Sequence, residues 1–242
     1  MASAVAVIGA LEKEVRRVYD VLEDGRIAEE AGLTVASGRL GSVNVVATVA
    51  GMGTVNAAAT TQHLISAHNA DTVIFSGIAG GLNPILHIGD VVIGERLRYL
   101  DTDTALVAES SPGLEEFTSD AALMALAEDA LREAGFACAR NAASDPESPR
   151  YLRGTIATGD RFVTGAEVKA AVIASTQADC VEMEGAAVAH VAAKNGVRCL
   201  VLRAISDNCD ESYDALSSRA FDLDEYARSA SELVLAIVRH LA

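Results

Sequence analysis

Short apolar runs that suit β-strands alternate with helix-length segments along almost the whole chain. Because these runs are short, rich in β-branched residues and bounded by turn residues, we interpret them as strands. The predicted strands are Ala4–Ile8, Leu33–Ser37, Val43–Val49, Thr72–Ser76, Val91–Ile93, Gly154–Thr158, Cys180–Val181 and Cys199–Ile205. The predicted helices are Glu12–Leu22, Thr54–Ala67, Asp120–Ala134, Ala166–Ser175, Gly185–Lys194 and Leu223–Leu241. This alternation predicts an α/β fold, in which a mostly parallel or mixed sheet is covered by helices on both faces.

The chain has 242 residues, half of them apolar, and this is enough to bury one large core. It contains no internal repeat and no Pro/Gly-rich linker, so we expect a single domain over residues 1–242. Two polar segments, Glu109–Thr118 and Asn141–Arg150, are predicted loops.

The balance of 34 acidic and 19 basic residues gives a net charge of −15. This charge argues against a nucleic acid or an anionic membrane as a partner. The four cysteines show no C-x-x-C spacing, and neither a signal peptide nor a membrane-spanning run is visible. We therefore expect reduced thiols and a cytoplasmic protein.

Acidic side chains follow three of the predicted strands. Glu14 follows the first strand, Glu182 and Glu184 lie around the end of a short strand, and Asp207 follows Cys199–Ile205. Carboxylates are costly to bury, and strand ends are where open α/β sheets bind ligands. Because Glu182 and Glu184 alternate, we expect them to share one face while Met183 points away. Glu14 as a solvated helix residue, and Asp207 as a helix cap or Asx turn, remain open alternatives.

Two glycine-rich segments follow strands. Ala50–Ala57 opens a helix but lacks the third glycine of a dinucleotide fingerprint. It is therefore either a tight strand-to-helix turn or a turn whose backbone approaches a ligand closely. Gly77–Gly81 is a predicted turn, whose backbone amides at Ile78, Ala79 and Gly80 could hold an anion or a purine edge.

Other catalytic and metal motifs are absent from the sequence. There is no P-loop and no G-x-S-x-G elbow. The five histidines show no paired ligand spacing, so no metal site is predicted, and His63 and His190 are assigned to packing or surface positions.

Several segments match a known family in sequence order: Ile8–Val15, Gly51–Gly53, Gly77–Gly81, Gly89–Val92, Gly159–Val163, Val181–Glu184 and Arg203–Asp207. Together they resemble the nucleoside phosphorylase superfamily and, within it, the 5′-methylthioadenosine/S-adenosylhomocysteine nucleosidases. The resemblance implies a single α/β domain with a twisted, barrel-like mixed sheet flanked by helices. It also implies a homodimeric enzyme that takes part in methionine salvage. Such an enzyme uses water to release adenine from a small-molecule nucleoside, without a cofactor or a metal.

The resemblance also assigns roles to residues. It implies that Glu14 activates the water and that Asp207 protonates the leaving purine. The other expected substrate-site residues contact the ribose or the base or support those contacts. They are Met183 and Glu184 at the ribose, Phe162 stacked on the base, the backbone of Val163 bonded to the purine, and Ile78, Ala79, Gly80, Glu182, Arg203 and Ser206 around them.

The chemistry of the residues agrees with these roles. Breaking a glycosidic bond builds positive charge on the sugar and negative charge on the base. A protonated Asp207 can neutralise the base, and an ionised Glu14 on another strand can take a proton from water, as in inverting glycosidases.

Two departures from the family pattern leave alternatives open. Ile78 and the Glu12-Lys13-Glu14 sequence disfavour a phosphate site and favour water as the nucleophile. Phosphorolysis is therefore the alternative, and hydrolysis is preferred. Tyr99–Ala108 lacks the aromatic pair that lines the family's 5′ pocket, so futalosine or 5′-deoxyadenosine are alternative substrates. A non-catalytic binding or storage protein is a third alternative, although Glu14, Glu184 and Asp207 are all present.

Overall fold

A computed structural model describes residues 3–110, 116–141, 148–210 and 220–241. The strands are β1 Ala4–Gly9, β2 Glu23–Glu30, β3 Leu33–Leu40, β4 Val43–Val49, β5 Ala70–Gly81, β6 Val91–Tyr99, β7 Phe117–Thr118, β8 Ala137–Cys138, β9 Arg150–Thr158, β10 Cys180–Glu182 and β11 Arg198–Asp207. The helices are α1 Glu12–Val21, α2 Thr54–His68, α3 Thr104–Ser110, α4 Ala121–Glu133, α5 Ala166–Thr176, α6 Gly185–Asn195 and α7 Ala220–Arg239.

Five strands of the sheet close into a barrel. The strand order is β10-β9-β6-β11-β5-β1-β4-β3-β2, and β10 also pairs back with β5 through Cys180 opposite Gly81. The barrel is mixed because β11 is parallel to β5 but antiparallel to β6. The predicted fold, a mixed barrel-like sheet flanked by helices, is confirmed.

Both faces of the sheet are covered, which explains the nearly continuous apolar runs of the central strands. On β5, Val73 and Phe75 belong to one buried cluster, together with residues of α2 and α6. Ile74, between them, belongs to a second cluster with residues of α1, α4 and α7. Successive side chains of β5 therefore enter opposite cores.

The structure corrects the prediction of a glycine turn at residues 77–81. This segment is the second half of β5, which pairs with β11 from Thr72 to Gly80. The glycines are needed for space, since a Cβ at Gly77 would overlap Arg203 Nη1 and a Cβ at Gly80 would overlap Cys209 Sγ. Glycine at these two positions therefore lets the side chains of Arg203 and Cys209 lie against the backbone of β5.

Other differences concern polar segments. The strand β2, which is mostly exposed and highly charged, was not predicted because it has no apolar face. The predicted loop Glu109–Thr118 includes the end of α3 and all of β7, while residues 111–115 lie outside the described residues. In the predicted loop Asn141–Arg150, residues 142–147 also lie outside them, and Arg150 begins β9.

Within the described ranges, no helix is long and apolar enough to cross a membrane. None of the four cysteines, all of which lie in these ranges, forms a disulfide.

Candidate active site

A cavity of about 200 Å³ opens where several strands end. The ends of β1, β5, β10 and β11 line it, together with Met52 after β4 and the segment after β9. Every site residue predicted from the sequence lines this cavity except Arg203, which is buried. The structure therefore brings together residues that are separated by up to 193 positions, from Glu14 to Asp207.

Glu14 lies in the first turn of α1 and is 3% exposed, so it is not the solvated helix residue of the alternative interpretation. Its Oε2 accepts a hydrogen bond from the Leu11 N–H at 2.8 Å, and its Oε1 accepts one from the Ile78 N–H at 3.2 Å. Burial raises the pKa of Glu14, while the positive charge of Arg203 opposes this rise. The carboxyl group is therefore fixed at the ends of β1 and β5.

Asp207 is the last residue of β11 and is buried. Its Oδ1 accepts a hydrogen bond from the Cys209 N–H at 2.7 Å, and its Oδ2 accepts one from the Ser206 hydroxyl at 2.8 Å. The Ser206 hydroxyl also lies 3.2 Å from the carbonyl oxygen of Ala79. An Asx-type contact thus exists, as one alternative expected, but the carboxyl group also lines the cavity.

Glu182 and Glu184 do not share a strand face, which corrects the alternation predicted from the sequence. The strand β10 ends at Glu182, and Glu184 is the N-cap residue of α6. Met183, expected to point away, lines the cavity with both glutamates. The physical reason is that the chain turns into a helix after Glu182, so a period of two no longer applies.

Arg203 is the buried cation between these two carboxylates. Its guanidinium group bonds to Glu182, lies 3.6 Å from Glu184 Oε2 and stacks 4.4 Å from the ring centre of Phe75. Burial and the neighbouring charge of Glu182 raise the pKa of Glu184 to about 7. The site therefore holds one buried arginine against several carboxyl groups.

A second network, which the sequence did not predict, joins the turn after β4 to Glu184 and to the segment after β9. The Gly53 N–H donates to Glu184 at 2.8 Å, and Gly53 has a φ of +96°, which favours glycine. Asp160 accepts hydrogen bonds from the Thr54 N–H at 2.7 Å and from the Thr54 hydroxyl at 2.5 Å. Two carboxylates thus bind the amino end of α2, where they are electrostatically favoured.

Several lining residues were not predicted as site residues. They are Ala10, Leu11, Lys13, Met52, Arg161, Val181 and Cys209. Lys13, Arg161, Val181 and Cys209 lie within two positions of a predicted site residue. Ala10 and Leu11 lie in the Ile8–Val15 segment and Met52 lies in the Gly51–Gly53 turn, so adjacency to the motifs is the available signal.

Comparison with known proteins agrees with this geometry. A model of the phosphorylase superfamily matches residues 4–240. A 5′-methylthioadenosine/S-adenosylhomocysteine nucleosidase of Bacillus cytotoxicus is 35% identical over 98% of this chain and 99% of its own length.

Solved structures show the same similarity. One is a 5′-methylthioadenosine/S-adenosylhomocysteine nucleosidase of Colwellia psychrerythraea in complex with adenine. Its TM-score is 0.85 at 30% identity, and the match covers 100% of this chain and 96% of the other. A futalosine hydrolase mutant of Helicobacter pylori has a TM-score of 0.84 at 27% identity and covers 99% of this chain and 100% of its own. The chain therefore belongs to the phosphorylase superfamily and, within it, to the family of the 5′-methylthioadenosine/S-adenosylhomocysteine nucleosidases.

Proposed function

We propose that this protein uses water to cleave the N-glycosidic bond of 5′-methylthioadenosine and S-adenosylhomocysteine, releasing adenine. The observation that carries the proposal is the pair of carboxyl groups in one cavity. A Cβ at Gly77 would lie 2.7 Å from Glu14 Oε1, and one at Gly80 would lie 3.2 Å from Asp207 Oδ1. These glycines are three residues apart along β5, roughly 10 Å. Both carboxyl groups line the same cavity, so each can reach a substrate bound there from a different position along the strand.

Asp207 is the proposed proton donor to the departing base. Its two oxygens are held by Ser206 and by the backbone of Cys209, so the carboxyl group has a fixed position in the cavity. As the bond to the sugar breaks, negative charge grows on the purine, and a proton from Asp207 neutralises it. General acid catalysis of this kind contributes about 10²–10⁴-fold to a rate.

Glu14 is the proposed base that takes a proton from the attacking water. A carboxyl group whose pKa is raised is a stronger base than an ordinary one, and burial raises the pKa of Glu14. Arg203 supplies a positive charge that favours the ionised form needed for this role.

The remaining cavity residues are proposed to orient the substrate. Glu184 would accept hydrogen bonds from the ribose hydroxyls, and Met183 would pack against the sugar. Phe162 would stack on the base, and the backbone of Val163 would bond to its edge. All four line the cavity, and fixing the sugar relative to both catalytic carboxyl groups lowers the entropic cost of reaction.

Hydrolysis is favoured over phosphorolysis by the contacts of Glu14. The Leu11 and Ile78 amides at the ends of β1 and β5 are the groups that would bind an anion, and both donate to the Glu14 carboxylate. The same carboxylate would repel phosphate. Lys13 and Arg161 are the basic residues among those lining the cavity.

The test is incubation of purified protein with 5′-methylthioadenosine, with and without phosphate. Adenine release at the same rate in both reactions is expected. Release only with phosphate would contradict hydrolysis, and no release from any nucleoside would favour a binding protein. A panel of adenosines that differ only at the 5′ position, together with futalosine, would then identify the 5′ group that gives the highest kcat/KM.

We also propose that the enzyme is a cytoplasmic homodimer that serves methionine salvage. Met52, Val55 and Phe162 are exposed by 49%, 77% and 37%, and Met52 and Phe162 line the cavity. Apolar side chains at the mouth of a site favour cover by a second subunit. A mass measurement in solution that gives only monomer would contradict the dimer.

A further inference from the structure

Three potential metal ligands meet at the end of α2 that is remote from the cavity. Nε2 of His63 lies 3.0 Å from Glu30 Oε2, and Nε2 of His68 lies 2.8 Å from the same oxygen. The three ligand atoms lie within 4.8 Å of one another. We propose that Glu30, His63 and His68 form a binding site for a divalent transition metal ion of the zinc type.

The donor set matches the preferences of zinc. Two neutral imidazoles and one carboxylate, with a fourth position for water, are a common zinc environment. Zinc–ligand bonds of about 2.0–2.2 Å in a tetrahedron place ligand atoms roughly 3.3–3.5 Å apart. The two separations between Glu30 and the histidines, 3.0 and 2.8 Å, therefore need to widen by only a few tenths of an ångström. The side chains are 19–27% exposed, which leaves a path for the ion and for a water ligand.

The local backbone holds the ligands in place. Glu30 ends β2 and is followed by a two-residue hairpin turn, Ala31-Gly32, in which both residues have positive φ. His63 and His68 lie in the last two turns of α2, and the helix ends at Asn69 in a left-handed cap. The ends of the hairpin and of the helix are therefore fixed before a metal ion binds.

The electrostatics of the position also favour a cation. His68 is the last residue of α2, where the helix dipole carries partial negative charge. Glu30 places a carboxylate oxygen 3.0 Å from His63 Nε2 and 2.8 Å from His68 Nε2, where it can share a metal ion with both imidazoles. In the absence of a metal ion, the same carboxylate oxygen serves as the shared hydrogen-bond partner of both imidazoles.

The role of this metal would be structural. Residues Thr54 and His68 are the first and last of α2, so the proposed metal site lies about 21 Å along the helix from the amino end that contacts Glu184. A bound ion would attach the edge strand β2 to α2. Ligands that bind only the folded state stabilise it, so the expected effect is on unfolding.

The test is metal uptake by the full chain after removal of metals with a chelator. Equilibrium dialysis against Zn²⁺, followed by elemental analysis, should give one more equivalent in the wild type than in His63→Gln or His68→Gln. A glutamine amide can still donate to Glu30 but is a poor zinc ligand, so these variants should fold. The control variant is His87→Gln, which removes an exposed histidine elsewhere and should bind as the wild type does.

Thermal unfolding gives an independent measurement. At a free Zn²⁺ concentration a hundred times the Kd, the Tm should rise by about 5–10 °C in the wild type and not in His63→Gln. Mg²⁺, which prefers oxygen ligands, should give no rise. Equal zinc content in wild type and His63→Gln, or an equal shift with Mg²⁺, would overturn the proposal. Neither measurement depends on the proposed nucleosidase activity.

Discussion

Glu14 accepts a hydrogen bond from the backbone N–H of Ile78, a residue 64 positions away, at 3.2 Å. The other oxygen of the same carboxylate accepts a hydrogen bond from the Leu11 N–H. The carboxylate therefore satisfies two backbone donors at the ends of β1 and β5 while it lines the cavity. One side chain thus supports the backbone of the site and supplies its proposed base.

Because Glu14 makes both contacts and is the proposed base, we expect Glu14→Gln to lower both stability and activity. The glutamine oxygen can accept a hydrogen bond from one amide, while its NH₂ group faces the other donor. We expect the free energy of unfolding to fall by about 1–3 kcal/mol, and adenine release to fall by about 10²–10⁴-fold with binding retained. Denaturant titration and single-turnover assays test both effects. Glu12→Gln, in the same helical turn but exposed, is the control and should change neither.

Asp207→Asn should fold normally and lose most of its turnover. The asparagine oxygen can still accept from the Cys209 N–H, and its NH₂ group can donate to the Ser206 hydroxyl, which then donates to the Ala79 carbonyl. The amide is too weak an acid to transfer a proton to the base, so kcat should fall by about 10²–10⁴-fold. The control is Asp20→Asn on the exposed face of α1. Near-wild-type kcat in Asp207→Asn would reject Asp207 as the acid.

Arg203→Met should lower the free energy of unfolding strongly, because one guanidinium group is the counter-charge of several carboxylates. Arg203 is the buried cation that faces Glu182, Glu184 and, at longer range, Glu14. Its removal leaves buried carboxylates without a counter-charge, which costs about 3–5 kcal/mol. Chemical denaturation measures this loss. Arg198→Met, at the exposed start of the same strand, is the control, and an equal loss in both variants would contradict the argument.

The central strands, and the positions of Glu14 and Asp207 after strands, could be predicted from the sequence because their signals are local. The apolar run Cys199–Ile205 ends two residues before Asp207, so the sequence alone predicts that this carboxyl group lies at a strand end. Glu14 was placed in the same way by the short run of β1 and the turn that follows it.

Features that depend on long-range pairing could not be predicted. The Gly77–Gly81 segment resembles a turn, and only its pairing with β11 and β10 makes it a strand. The edge strand β2 carries no apolar face, so neither the strand nor the position of Glu30 beside His63 and His68 was visible. The contact of Asp160 with Thr54 joins segments 106 residues apart, and nothing local signals it.

The raised pKa of Glu184 predicts how stability depends on pH. Burial raises this pKa from 4.5 to about 7, so between these values the folded protein holds a proton that the unfolded chain has lost. The free energy of unfolding should therefore fall as the pH rises from about 5 to about 7. In Glu184→Gln this contribution is absent, while the glutamine oxygen can still accept from the Gly53 N–H. The raised pKa of Glu14 makes stability depend on pH in the same direction, and Glu14 is still present in this variant.

The measurement is the Tm of wild type and Glu184→Gln at intervals from pH 5 to pH 8. We expect a steeper decline in the wild type, and a variant whose stability relative to the wild type improves as the pH rises. Glu167→Gln, an exposed position in the first turn of α5, serves as the control and should follow the wild-type curve. Parallel curves for wild type and Glu184→Gln would show that Glu184 is ionised at the same pH in the folded and unfolded chains, because only a difference in proton binding between those states makes stability depend on pH.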